Sequence, residues 1–151
     1  MNDDTPPLRH PEDMPAIRSQ ADLHQLWRAL VGPLGFSQPA LWVSFVSIDD
    51  RANGIITKID ELPDRPDDLL LYSLMMICGG QIDRDLPGGR VAFLYSRPGS
   101  RLVTDDDRAL ARGLRSAARK AGVPCEPIHL ANDEELRIFA PDDLGLPSSA
   151  A

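Results

Sequence analysis

The sequence is poor in the side chains on which most enzyme and metal chemistry is built. Cys78 and Cys125, the two cysteines in 151 residues, are too few and too far apart for a disulfide framework or a clustered zinc site. The three histidines, His10, His24 and His129, include no pair at metal-ligand spacing. No Gly-x-Ser-x-Gly, Walker or Gly-x-Gly-x-x-Gly pattern occurs, which removes the sequence basis for a serine-hydrolase elbow or a nucleotide loop. There is no run of about 18 apolar residues, and no basic start followed by an apolar stretch, so a cytoplasmic protein without a membrane segment is expected. Basic charge is outnumbered: 16 Lys and Arg face 23 Asp and Glu, for a net charge of -7. That balance disfavours bulk attraction to nucleic acid or anionic lipid, and any such partner would need a local patch.

What remains is ordinary globular material, 42% hydrophobic and 26% charged, in a length suited to one domain. Residues 1–18 hold Pro6, Pro7, Pro11 and Pro15 among Asp3, Asp4, Glu12 and Asp13 with little apolar spacing, and read as a disordered N-terminal arm. Residues 141–151, with Pro141, Gly145 and Pro147, read as a flexible C-terminal tail, leaving a folded body over 19–140.

Within that body, Ser19 caps a helix whose Leu23, Leu26, Trp27 and Leu30 share one face, and Gly32-Pro33 stops it. Residues 40–48 are rich in strand formers, the stretch from Asp49 to Gly54 carries turn chemistry with Asn53-Gly54 tolerating positive φ, and Ile55 to Ile59 returns antiparallel. Asp67 or Asp68 caps a second helix bearing Leu70, Leu71, Leu74, Met75 and Cys78, which Gly79-Gly80 should end. Leu69 to Cys78 has so few polar residues that this helix is expected to be covered on more than one side, by a sheet or by another subunit, with both methionines in the core. Arg90 to Tyr95 lacks clean alternation and reads as a central strand. Thr104 with Asp107 opens the longest helix, whose Leu110, Leu114, Ala117 and Ala121 form a narrow stripe, and Gly122 and Pro124 close it. Residues 125–131 and 136–139 read as the last two strands.

Between the central strand and the longest helix stands Tyr95-Ser96-Arg97-Pro98, a loop, and Thr104-Asp105-Asp106-Asp107. This segment resembles the signature of the JAB/MPN (JAMM) metallopeptidase fold, particularly its RadC-like branch, in which His-x-His-Pro leads through a loop to Ser-x-x-Asp at the start of a helix. Pro98 and Asp107 match literally, Thr104 supplies the hydroxyl of the Ser, and the neighbouring elements extend the likeness over about Leu41 to Phe139. The resemblance implies an α/β fold of cytidine-deaminase-like, three-layer type, a mixed sheet flanked by helices. It also implies a zinc ion held by two imidazoles and a carboxylate, but the imidazole positions hold Tyr95 and Arg97, and the loop is one residue short. Arginine has no lone pair to give a metal, so neither metal nor cofactor is expected. Arg97 could instead aim its guanidinium at Asp107 and supply the missing positive charge; the alternative is a solvated Arg97 beside an Asp107 that only caps the helix.

Two residue groups are therefore candidates. One is a degenerate cleft of Tyr95, Ser96, Arg97, Ser100 and Asp107, where free helix N–H groups with Arg97 and Arg101 would attract an anion if Asp105 to Asp107 did not already fill that end. The other is a basic ridge, Arg108, Arg112, Arg115 and Arg119, on one face of the longest helix; it reads either as a solvated face or as a nucleic-acid surface lacking aromatics to stack bases. His24 reads as a partly exposed helix residue and His129 as structural. The function expected is a non-catalytic JAB/MPN-like module that binds a protein partner or itself. The alternatives are a divergent hydrolase in the old cleft and nucleic-acid binding through the ridge.

Overall fold

The computed structural model describes residues 16–60, 62–63 and 65–139, with backbone alone at 54 and 55. The tail expected over 141–151 and the arm up to residue 15, with His10, lie outside the described residues. Eight elements follow in the expected order: α1 (Gln20–Val31), β1 (Ala40–Val46), β2 (Ala52–Asp60), α2 (Asp68–Asp85), β3 (Arg90–Ser96), α3 (Asp105–Ala121), β4 (His129–Ala131) and β5 (Leu136–Ile138). The strands form one mixed sheet in the order β2-β1-β3-β4-β5. β1 pairs antiparallel with both β2 and β3, β3 and β4 are parallel across the α3 crossover, and β5 returns antiparallel to β4.

Alternation along the strands splits the core between the two faces of the sheet. Leu41, Val43, Phe45, Val91, Phe93 and Leu130 pack with Leu71, Met75 and Cys78 of α2 and Leu110 and Leu114 of α3. Val46, Ala92, Leu94, Ala131 and Leu136 pack with Leu23, Leu26 and Trp27 of α1. The result is three layers, with one helix on one face and two on the other.

Several boundaries differ from the sequence reading. Ile17, placed in the arm, is buried; its N–H donates to the Asp50 carbonyl at 2.6 Å and its carbonyl accepts from Arg90 at 2.8 Å, so the body begins before Ser19. The hairpin turn lies earlier than Asn53-Gly54, which are inside β2. Asp50 takes the positive φ, 65°, and Ser47 N–H bonds the Arg51 carbonyl at 2.8 Å.

Helix α2 does not end at Gly79-Gly80 but runs on to Asp85. Gly79 sits where a Cβ would lie 3.0 Å from Val123, so here the glycine serves close packing, and Ile82 renews the buried stripe of Leu71, Met75 and Cys78 one turn later. Gly113 does the same on α3, since a Cβ there would meet Leu71 Cδ1 at 2.5 Å. That stripe leaves Leu70 and Met76 outside the core, against expectation, while Met75 is fully buried. Cys125 joins β3 only through an isolated bridge to Val91, and β4 proper starts at His129.

His24 and His129, expected to be unrelated, meet edge to face with ring centroids 6.3 Å apart. Burial pushes the His129 imidazole down to about 4, only partly opposed by its bond to the Pro127 carbonyl and reinforced by His24. Because the folded value lies below the ordinary 6.5, the folded state binds fewer protons than the unfolded chain between those values. Stability is therefore full above about pH 6.5 and falls as pH drops toward about 4, by roughly 3 kcal/mol. Urea unfolding midpoints measured across this window should decline in the wild type, and His129→Leu should flatten that part of the decline.

A candidate site at the end of β3

Arg97 leaves the C-terminal end of β3 and is held there by its backbone N–H, which donates to the Ala131 carbonyl at 3.0 Å. Ten residues on, Asp107 occupies the first turn of α3. Thr104 fixes that turn through a capping box: its hydroxyl accepts from Asp107 N–H at 3.1 Å, and the Asp107 carboxylate accepts from Thr104 N–H at 2.9 Å. The gap between strand and helix is closed by a bidentate ion pair, Arg97 Nε to Asp107 Oδ1 at 2.7 Å and Arg97 Nη2 to Oδ2 at 2.6 Å.

The remaining guanidinium hydrogens are also used. Nη1 donates to the carbonyls of Pro98 at 3.0 Å and Ser100 at 3.1 Å, and Nη2 to that of Leu102 at 2.8 Å. A guanidinium carries five N–H donors, and all five are engaged within the chain. The side chains are 11% exposed for Arg97 and 1% for Asp107. The hydrogen bonds to Asp107 hold the Arg97 guanidinium above its ordinary range, against the opposing effect of burial.

The other expected cleft residues fare differently. Ser96 is buried on the opposite side of the strand, where it accepts from Trp42 Nε1 at 2.9 Å and faces the Ala40 carbonyl. Tyr95 packs against the α2/α3 core. Ser100 contributes its carbonyl to Arg97, and its hydroxyl accepts from Leu102 N–H at 3.4 Å. The structure thus brings together Arg97, Ser100 and Asp107, and not Ser96. The loop is also tied to the β4–β5 turn, which the sequence reading missed. Asp133 accepts from Gly99 N–H at 2.8 Å and Phe36 N–H at 3.0 Å, which lowers its carboxyl, and Glu134 accepts from Arg101 N–H at 2.6 Å. Nothing local in the sequence marks these partners, since each lies more than thirty positions away.

This donor set does not fit a zinc ion. Both oxygens of Asp107 already accept charged N–H groups, and Tyr95 and Arg97 offer only a phenol partly buried against the core and a saturated guanidinium. Among the described residues, no three His, Cys, Asp or Glu side chains gather into a metal-holding group. The helix end, expected to be filled by the three aspartates against an anion, is occupied from within by Asp107.

The ridge is divided. Arg108 is bound to Asp105 at 3.1 Å, while Arg115 and Arg119 border a groove of about 300 Å³ with Glu126, Ile128 and Phe139. Arg112 is exposed and makes an interaction within the chain. Cys125, beside that groove, has its thiol pushed up to about 12, first by burial, and Cys78 is pushed up to about 11 by burial.

No family model and no curated protein matches this chain.

Removing one partner of the ion pair leaves the other buried and uncompensated, so Arg97→Ala and Asp107→Ala should each cost about 3–5 kcal/mol in denaturant unfolding. Arg97→Lys should recover little, because one ammonium cannot reach two carboxylate oxygens and three carbonyls. Both cysteines should react slowly with iodoacetamide at pH 8 in the native protein and rapidly in urea, since so little thiolate forms while the chain is folded.

Proposed function

We propose that the protein is a non-catalytic JAB/MPN-like module that works by binding protein, its zinc centre replaced by the Arg97–Asp107 pair. The observation that carries this reading is the saturation of the guanidinium. A fixed positive charge occupies the place where the family resemblance puts an ion, and it has no hydrogen left to offer a substrate. The element order, the three layers and the position of Thr104-x-x-Asp107 after the loop that follows β3 support the family assignment. The binding role is supported by α2, which exposes large apolar side chains along one face. No helix among the described residues is long and apolar enough to cross a membrane.

The test is elemental and kinetic. Protein equilibrated with zinc and then desalted should retain far less than one ion per chain, and its melting temperature should not respond to a chelator. Stoichiometric zinc, or isopeptide hydrolysis that disappears in a folded Asp107→Asn variant, would overturn the proposal.

A further inference from the structure

The groove of about 300 Å³ beside the last turns of α3 has Val123, Ile128 and Phe139 at its floor and Arg115 and Arg119 along one rim. Both arginines are exposed, and neither has an ion pair among the described residues. Like charges four residues apart on a helix repel, so the pair weakens the isolated helix slightly unless an anion stands between them.

Nothing else in the groove answers that charge. Glu126 is the one acid lining it among the described residues, and its carboxylate is already met by Arg90 Nε at 3.3 Å. Cys125 adds no negative charge, because burial keeps its thiol protonated. The last carbonyls of α3, which would repel an anion, accept from Gly122 and Val123 N–H. The groove therefore suits a ligand that brings carboxylates to one wall and an apolar side chain to the floor.

The chain carries such a sequence at the mouth of the groove. Phe139 lines the groove where the chain leaves β5, its N–H donating to the Ile128 carbonyl at 2.9 Å, and Asp142-Asp143-Leu144-Gly145-Leu146 begins three positions on. Three residues span at most about 11 Å, so the first acid cannot lie far from the arginine rim. We infer that this groove is the docking site of the chain's own C-terminal segment, with Asp142 and Asp143 paired to Arg115 and Arg119 and Leu144 set on the apolar floor. Only Ala140 and Pro141 separate Phe139 from the first acid. The effective concentration of the segment at the groove is then on the order of millimolar or higher, and contacts too weak to hold a separate peptide suffice. A partner bearing acids and leucines reaches the same rim only by displacing this segment. The inference goes beyond the binding role proposed above and uses neither α2 nor the Arg97–Asp107 pair.

Hydrogen–deuterium exchange of the full chain tests it. The amides from Asp142 to Leu146 should exchange about tenfold or more slowly relative to those of an acetylated peptide of residues 140–151. Arg115→Asp with Arg119→Asp should bring them to the peptide rate, and adding Asp142→Arg with Asp143→Arg should restore most of the protection, because the exchanged charges meet again. If circular dichroism shows that charge reversal disturbs α3, Arg115→Gln with Arg119→Gln makes the same test, with loss of protection expected. Exchange at the peptide rate in the wild type, or protection that survives removal of both arginines, overturns the inference. Protection that falls on dilution assigns the segment to the groove of a second copy and overturns docking within one chain. A quadruple variant as open as Arg115→Asp with Arg119→Asp overturns the pairing of these charges. None of these readouts depends on zinc content or hydrolysis, so failure here is distinguishable from failure of the non-catalytic reading.

Discussion

The contact between the Arg97 guanidinium and the Asp107 carboxylate sets the geometry of everything around it. Two charges are taken almost wholly out of water, at a desolvation cost of several kcal/mol for each ion, and the pair stands only because its surroundings repay that cost. Two carboxylate oxygens and the carbonyls of Pro98, Ser100 and Leu102 surround one planar cation in its own plane. The loop over 97–103 takes its course from this requirement, since its carbonyls turn inward to complete the set. Such an arrangement adds modestly to net stability but selects one loop conformation sharply, because any other leaves a buried charge without partners. A dication would need lone pairs converging on a point; the guanidinium needs acceptors spread around a plane. The same cleft cannot satisfy both demands.

The pair also governs how the helical layer sits on the sheet. Arg97 belongs to the end of β3 and Asp107 to the start of α3, so their bond pins the helix to the strand that precedes it, while the capping box fixes the direction in which α3 departs. Gly113 then lets α2 approach α3 more closely than any larger residue would allow, with Leu71 filling the space. Position passes in this way from the ion pair through α3 to α2. α2 rests its buried stripe on the strands as well as on α3, so its orientation is set by the sheet and by the helix beside it.

Much of this architecture was legible because the local signals agreed with one another. Ser19, Asp67 and Thr104 each cap the helix they were expected to cap, and the order of elements follows from periodicity and punctuation alone. The pairing of Arg97 with Asp107 was legible as one of two alternatives, the other being a solvated arginine beside an acid that only caps the helix. Failures came where a residue served a distant partner. Gly79-Gly80 has the local chemistry of a helix stop, but Val123 packs on Gly79 and Ile82 finds the core, so tertiary packing outweighs a propensity penalty of about 1 kcal/mol per glycine. Ile17 sits among prolines and acids, yet Arg90 and the Asp50 carbonyl capture its backbone. Asp133 and Glu134 look like ordinary turn residues, and only the fold brings the 97–103 loop to them.

The two helices of the layer answer the same packing problem with different surfaces. α3 has a narrow buried stripe of leucine and alanine and an outer face of arginine, lysine and serine, which is stable in water without further cover. α2 is held to the core by Leu71, Met75, Cys78 and Ile82, with Leu74 packed at the edge, while Leu69, Met76 and Ile77 stay more than half exposed. Those three side chains gain little burial from the fold of a single chain. The cleft at the end of β3, by contrast, has every polar group turned inward and spent on the chain itself. Exposed apolar surface is thus concentrated on α2, which carries five of the seven large apolar side chains left exposed among the described residues, while the ion pair at the end of β3 is closed from within.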